Sequence, residues 1–251
     1  MVKIIMHGCN GKMGQVISGL VAADENACIV AGIDPYDGIT NTYPVFPSIG
    51  DCDVKADVII DFASAKAVDG LLDYAVDKQI PLVLCTTGLS EEQINKVNEA
   101  SEKVAILRSA NMSLGINTLF KVLQMISPLL SEAGFDIEIV EKHHHLKVDA
   151  PSGTALALAD VINDSLKEKY NYKFDRSQDR IKRPKNEIGI SAVRGGTIVG
   201  EHEIIFAGED EVIEVKHTAY SKAVFAKGAI EAAKYLKGQG AGLYTMKEVI
   251  G

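Results

Sequence analysis

The chain contains no C-x-x-C pair. Its four cysteines, Cys9, Cys28, Cys52 and Cys85, all fall in the first third of the 251 residues. Several lie in or beside apolar, strand-like runs, so they are expected to be reduced and mostly buried thiols in a cytoplasmic protein. Positive charge is not in excess: 26 Lys and Arg stand against 34 Asp and Glu, a net charge of −8. No nucleic acid and no membrane surface is therefore expected as a partner. The chain enters a strand at once with no signal-peptide pattern, and no apolar run reads as long enough to span a membrane. Internal repeats, low-complexity segments and clear linkers are also lacking. Hydrophobic residues make up 47% and charged residues 24%. That is ordinary for a globular protein with a sizeable core, as one large domain or two small ones.

Groups that hold or move protons are concentrated in residues 141–155, Glu-Lys-His-His-His-Leu-Lys-Val-Asp-Ala-Pro-Ser-Gly-Thr-Ala. The apolar run before it reads as a strand over 135–140, and the run after it as a helix over 155–168. The stretch thus crosses from strand end to helix start, where a loop can present side chains to a ligand. Pro151-Ser152-Gly153-Thr154 suits a helix N-terminus, whose N–H groups favour an anion. Three histidines, a lysine and an anion-friendly helix start suggest a carboxylated substrate that needs a proton. A plain surface run of histidines is one alternative. A metal site is another, but no Cys lies near and the spacing matches none of the usual zinc patterns, so no metal is expected. In an extended segment His143 and His145 would share one face and His144 the other.

The N-terminal third carries a second signal. Residues 2–7 read as a strand, followed by Gly8-Cys9-Asn10-Gly11-Lys12-Met13-Gly14. Met13, Val16, Ile17, Leu20 and Val21 then recur at helical spacing, and residues 27–33 form a second strand ending at Asp34. Strand, glycine turn, helix, strand and acidic residue come in the order of a dinucleotide-binding unit, although the spacing is G-x-x-G-x-x-G. A tight turn with no ligand is the alternative, and the placement of Asp34 argues against it. Lys12 adds a positive charge beside the expected phosphate site.

Further along, residues 36–52 read as a loop. Strands are expected over 56–62, 81–84 and 104–107, with helices over 66–78 and from Ser90, which has Gln93 three residues on as a capping partner. This alternation predicts a doubly wound parallel sheet, with ligands beyond the strand ends at Gly8, Asp34, Asp61-Phe62, 85–87 and 109–112. A helix over 117–130 carries the chain out of this domain. Strands over 188–194, 201–206 and 212–217 then follow without helices between them, after a polar loop over 170–187. They predict an antiparallel or mixed sheet with one face open to another subunit. A helix over 223–235 and a glycine-containing tail over 238–251 complete the chain.

The run E-x-H-H-x-x-K-x-D-A-P-S-G-T-A resembles the 4-hydroxy-tetrahydrodipicolinate reductase (dihydrodipicolinate reductase) family. It is joined by G-x-x-G-K-M-G, by T-T-G at 86–88, by A-N-M-S at 110–113 and by Ser221-Lys222, Phe225-Ala226 and Gly228-Ala229. The resemblance covers essentially the whole chain. It implies a nicotinamide-dependent reductase of lysine and diaminopimelate biosynthesis, commonly a homotetramer. The implied fold is a Rossmann-like α/β domain, residues 1–113 plus 223–251, with an inserted α+β substrate and oligomerisation domain, residues 114–222. Carried over by position, His143 is the main proton donor or acceptor and Lys147 the second. His144, Ser152, Gly153, Thr154 and Thr87 hold the dicarboxylate imine substrate. Gly8, Cys9, Asn10, Gly11, Lys12, Met13, Asp34, Cys85, Thr86, Thr87, Ser109, Ala110, Asn111 and Met112 hold the cofactor. The family often has Arg and His where this chain has His145 and Leu146, usually Gly in place of Cys85, and often Arg in place of Lys12.

Asp34 should accept hydrogen bonds from the adenosine ribose of NADH and repel a 2′-phosphate. The family's common remedy, an Arg directly after the acid, is replaced here by Pro35. NADH is therefore the expected preferred cofactor, with NADPH usable through Lys12. Two other functions are compatible with parts of this pattern. Another two-domain dehydrogenase, of diaminopimelate or aspartate, would share the first domain but not residues 141–155. A non-enzymatic dinucleotide sensor would need no proton donor.

Overall fold

The computed structural model describes all 251 residues, Met1–Gly251. The chain divides into two units, Met1–Leu114 with Ala223–Gly251, and Gly115–Lys222.

In the first unit β1 (Val2–His7) is apolar on both faces, with Ile4, Ile5 and Met6 fully buried, as a central parallel strand requires. It is followed by α1 (Lys12–Ala22), β2 (Ala27–Ile33), β3 (Val45–Phe46), β4 (Val58–Asp61), α2 (Val68–Lys78), β5 (Leu82–Leu84), α3 (Glu91–Ser101) and β6 (Ala105–Arg108). The Ser90–Gln93 capping box opens α3. After the second unit come α6 (Ala223–Leu236), β12 (Gly242–Tyr244) and α7 (Met246–Ile250). The sheet is parallel, in the order β12-β6-β5-β4-β1-β2-β3. Ile17 and Val21 of α1 and Ala226, Ala229 and Ile230 of α6 pack on one face; Leu71, Leu72 and Ala75 of α2 and Val97 of α3 pack on the other. The connections reverse direction between β1 and β4, the place where an open parallel sheet offers its strand ends to a ligand.

Two elements here correct the sequence reading. The loop over 36–52 contains β3, which gains strand geometry only by pairing with β2. The tail over 238–251 holds an edge strand paired with β6, then a capped turn of helix with Met246 fully buried. Strands of two or three residues carry too little periodicity to be seen before their partners are known.

The second unit contains α4 (Leu114–Glu132), β7 (Asp136–His143), α5 (Gly153–Ser165), β8 (Asn171–Lys173), β9 (Glu187–Arg194), β10 (Gly200–Ala207) and β11 (Val212–Ala219). The mixed sheet runs β11-β10-β7-β9-β8, with β10 antiparallel to both neighbours and β9 parallel to β7 and β8. Leu119 and Leu123 of α4 and Ala155, Leu158, Ala159 and Ile162 of α5 cover Ile137, Ile139, Ile188, Ile190, Ile204 and Phe206 on one sheet face. Helix α4 has 19 residues and a mean hydropathy of 1.2 in its most apolar window, long and apolar enough for a membrane by those measures. That corrects the expectation that no run is long enough, although here α4 packs one face on the sheet. The polar loop over 170–187 also contains β8, paired with β9.

Strand β7 runs three residues further than expected, through Glu141, Lys142 and His143. Its burial alternates strictly, so Glu141 and His143 share the face of Ile137 and Ile139. The apolar core of the second unit therefore ends in a polar layer.

Candidate active site

The glycine turn of the first unit begins at Gly8, at φ +80°, where a Cβ would stand 2.9 Å from the Phe62 carbonyl carbon. A Cβ on Gly14 would meet the carbonyl oxygens of Gly8 and Cys9. Only glycine allows the turn to close this tightly against β4 and α1. Gly11 is the N-cap of α1 and has no side chain to satisfy the first-turn N–H groups, and no acid lies in that turn. Free N–H groups at such a start favour an anion, and Lys12 and Met13 are the first two residues of the helix. Asn10 ties the turn to the next loop: its N–H donates to Asp34 Oδ2 (3.0 Å), its amide nitrogen donates to the Tyr36 carbonyl, and its amide oxygen accepts from Asn41 (2.8 Å). Asp34 Oδ1 accepts from the Tyr36 N–H (3.0 Å).

Cys85, Thr86 and Thr87 follow the end of β5, and Ser109, Ala110, Asn111 and Met112 follow the end of β6. Asn111 Oδ1 accepts from the Ser113 N–H at 2.8 Å, and Gly228 of α6 lies so close to the Met112 carbonyl that no side chain would fit. Asp61 Oδ2 and Thr86 Oγ1 are buried without a hydrogen-bond partner. Orphaned polar atoms beside a glycine turn and an uncapped helix start fit a polar ligand such as a nicotinamide dinucleotide. Burial pushes the Cys9 thiol up to about 11 and the Cys85 thiol well above its usual range, each helped by a nearby Asp charge. Neither is a thiolate nucleophile.

The remaining expected residues lie in the second unit. His143 Nδ1 stands 2.5 Å from Glu141 Oε2, and Nε2 lies along Gly200, 3.1 Å from where a Cβ would stand. His144 Nδ1 is buried without a partner, whereas His145 turns outward and its Nδ1–H donates to the Gly196 carbonyl at 2.9 Å. Lys147 Nζ pairs with Asp149 Oδ1 at 2.8 Å. The Asp149 carboxyl is held below its ordinary pKa, first by Lys147 and in smaller part by the Gly153 N–H. The chain's own carboxylate thus sits on one group expected to move protons, Lys147, and one expected to hold a substrate carboxylate, Gly153. Ser152 caps α5, accepting from the Ala155 N–H (3.2 Å), and its hydroxyl is 3.1 Å from His202 Nε2. Gly153 and Thr154 open the helix, with no acid in the first turn.

Both halves of the chain match family models described as dihydrodipicolinate reductase, the N-terminal model over residues 2–112 and the C-terminal one over 115–250. The chain belongs to the dihydrodipicolinate reductase family. It is 54% identical to the 4-hydroxy-tetrahydrodipicolinate reductase of Clostridium novyi over all of this chain and 98% of that one. The Caldanaerobacter subterraneus enzyme of that name is 50% identical, with 100% and 98% of the two chains covered. A dipicolinate-bound dihydrodipicolinate reductase from Paenisporosarcina sp. TG-14 superposes with a TM-score of 0.81 at 25% identity, covering 99% of each chain. A Corynebacterium glutamicum diaminopimelate dehydrogenase shares the fold alone, with a TM-score of 0.59 and 16% identity over 100% of this chain and 95% of that one.

Within this reductase fold, sequence reasoning assigned no role to Glu141, Arg194, His202 or the His7–Asp61 pair. His7 Nδ1 lies 2.6 Å from Asp61 Oδ1, both side chains buried at adjacent strand ends. Arg194 grips Glu141 with both terminal nitrogens, at 2.9 and 2.7 Å. His202 packs edge-on to His143 with ring centroids 5.2 Å apart, and burial holds its pKa at about 4. Alternation along β7 was the available signal for Glu141, two residues before His143; Arg194 and His202 are placed by strand register alone. No group of three or more His, Cys, Asp or Glu side chains gathers in an arrangement that could hold a metal ion.

Proposed function

We propose that this nicotinamide-dependent reductase reduces 4-hydroxy-tetrahydrodipicolinate to tetrahydrodipicolinate, with loss of water, in lysine and diaminopimelate biosynthesis in the cytoplasm. The observation that carries this reading is the end of β7. A buried histidine held by a carboxylate stands there beside Ser152, the N-cap of α5, whose first turn has no acid. That pairs a proton-transfer group with a carboxylate site. The bound dihydronicotinamide would supply the hydride. His143 and Lys147 would handle the protons lost with water and gained by the resulting enamine, and Lys147 would also offset the developing negative charge. His144 would contact one substrate carboxylate; Ser152, Gly153, Thr154 and Thr87 would hold the other. Gly8 to Met13, Asp34, 85–87 and 109–112 would hold the cofactor.

NADH is the proposed preferred cofactor, with NADPH usable. Both Asp34 oxygens already accept backbone N–H groups, and no Lys or Arg occurs between Lys12 and Lys55. A 2′-phosphate near Asp34 would have only Lys12 from this segment to offset the carboxylate. A homotetramer is proposed through the second sheet's other face, where Val140, Val193 and Ile205 surround the Lys142–Glu201–Lys216 ion pairs. Sedimentation of the purified chain reads the assembly directly. The deciding experiment is turnover: the purified protein should oxidise NADH only when supplied with the freshly formed dicarboxylated imine. Reduction of NAD+ or NADP+ on diaminopimelate would instead favour the dehydrogenase alternative, and no turnover in either assay would favour a sensor.

A further inference from the structure

Glu141 is fully buried, yet it is surrounded by donors. Oε1 accepts from the Ser152 N–H (3.0 Å) and from Arg194 Nη2 (2.7 Å). Oε2 accepts from Arg194 Nη1 (2.9 Å) and stands 2.5 Å from His143 Nδ1. Burial by itself raises the carboxyl's pKa, but the hydrogen bonds from Arg194, His143 and Ser152 outweigh it and hold the group below its ordinary value. An ionised carboxylate only accepts, so the nitrogen facing it must carry the proton. In the neutral ring that leaves the lone pair on Nε2, the nitrogen along Gly200.

We propose that Glu141 is the positioning residue for proton transfer: locked by Arg194 and the Ser152 N–H, it fixes His143 as the Nδ1–H tautomer and leaves the lone pair on Nε2. This rests on the reading of His143 as the proton-transfer group. Arg194 extends the same restraint, because Nη2 also donates to the Asp149 carbonyl at 2.6 Å, in the turn that carries Lys147. One guanidinium therefore anchors the partners of both proton-handling side chains.

The donor pattern makes Glu141→Gln a sharp test. Two fixed donors, the Ser152 N–H and Arg194 Nη2, point at Oε1, against one, Arg194 Nη1, at Oε2, so the amide oxygen takes the Oε1 place and the amide NH2 that of Oε2. The NH2 then donates to His143 Nδ1 and forces the proton onto Nε2. Nitrogen NMR of the labelled enzyme should show His143 changing from the Nδ1–H to the Nε2–H tautomer. The kcat should fall about 100-fold, with KM for substrate and the dissociation constant of NADH nearly unchanged. In a His143→Ala background Glu141→Gln should cost nothing more, since the residue it positions is gone. An equal cost in both backgrounds, or an Nδ1–H ring in the Gln variant, overturns the proposal. If His143→Ala itself turns over normally, the catalytic reading of His143 fails, while the tautomer still reports whether Glu141 sets the ring. Should Glu141→Gln not fold, Glu141→Asp takes its place. It should keep the Nδ1–H tautomer with a partial loss of kcat that vanishes in the His143→Ala background, and loss of that tautomer overturns the proposal.

Discussion

At the scale of single residues, two side chains of the second unit stand in different surroundings. His143 is buried and hydrogen-bonded through one nitrogen, whereas Lys147 is partly exposed and paired with Asp149. As proton-transfer groups both should be needed. His143→Ala and Lys147→Ala are each expected to lose ~10²–10⁴-fold in kcat while NADH binding stays near wild type, read by steady-state kinetics and fluorescence titration. Near-normal turnover of the Lys147 variant would leave that lysine only its pairing with Asp149. In the first unit the decisive residue is Asp34. The expected preference for NADH over NADPH is about tenfold in kcat/KM, which needs only ~1.4 kcal/mol. It should shrink at high salt as the repulsion is screened. A preference for NADPH at both low and high salt would show that Lys12 or another cation outweighs the carboxylate.

At the scale of elements, the packing of α6 against the turn after β6 has no slack. Gly228 meets the Met112 carbonyl directly, and Ala226 and Ala229 are fully buried beside it. A methyl group at Gly228 must push the helix or the turn away. Gly228→Ala is therefore expected to destabilise the fold by roughly 1–3 kcal/mol. Because the same turn carries Ser109 to Met112, NADH affinity should fall too. Thermal melts with and without NADH check both effects. An unchanged melting temperature would mean that the turn has room that the structure does not show. Gly200 sets a similar limit in the second unit, where its missing side chain leaves space for the His143 ring.

At the scale of the whole molecule, the polar layer at the end of the second unit's core links stability to pH. Burial lowers the His202 pKa from 6.5 to about 4, and burial also lowers that of His217 beside it on β11. Above pH 6.5 neither the folded nor the unfolded His202 carries the proton, and its contribution is constant. As pH falls from 6.5 towards 4 the unfolded chain takes up the proton and the folded chain does not, so stability drops. The loss from His202 alone is roughly 3 kcal/mol by the lower end. Wild-type melting temperature should therefore fall more steeply over this range than that of His202→Asn. Parallel curves would show that the folded ring takes a proton as easily as the free one.

The parallel-sheet order of elements, the glycine turn with Asp34 at the end of the next strand, the Ser90 cap and the helix start near 151–154 were legible in the sequence. Each depends on local periodicity or on residues a few positions apart. Short edge strands such as β3, β8 and β12 were not, because two or three residues acquire strand geometry only from the neighbour they pair with. The candidate site divides in the same way. The stretch from Glu141 to Thr154 announced protons and an anion-friendly helix start by composition alone. Which nitrogen of His143 carries the proton was decided by Arg194 and the Ser152 N–H around Glu141. Strand register and the fold of the turn bring these groups together, and they leave the histidine's neighbour no choice but to accept.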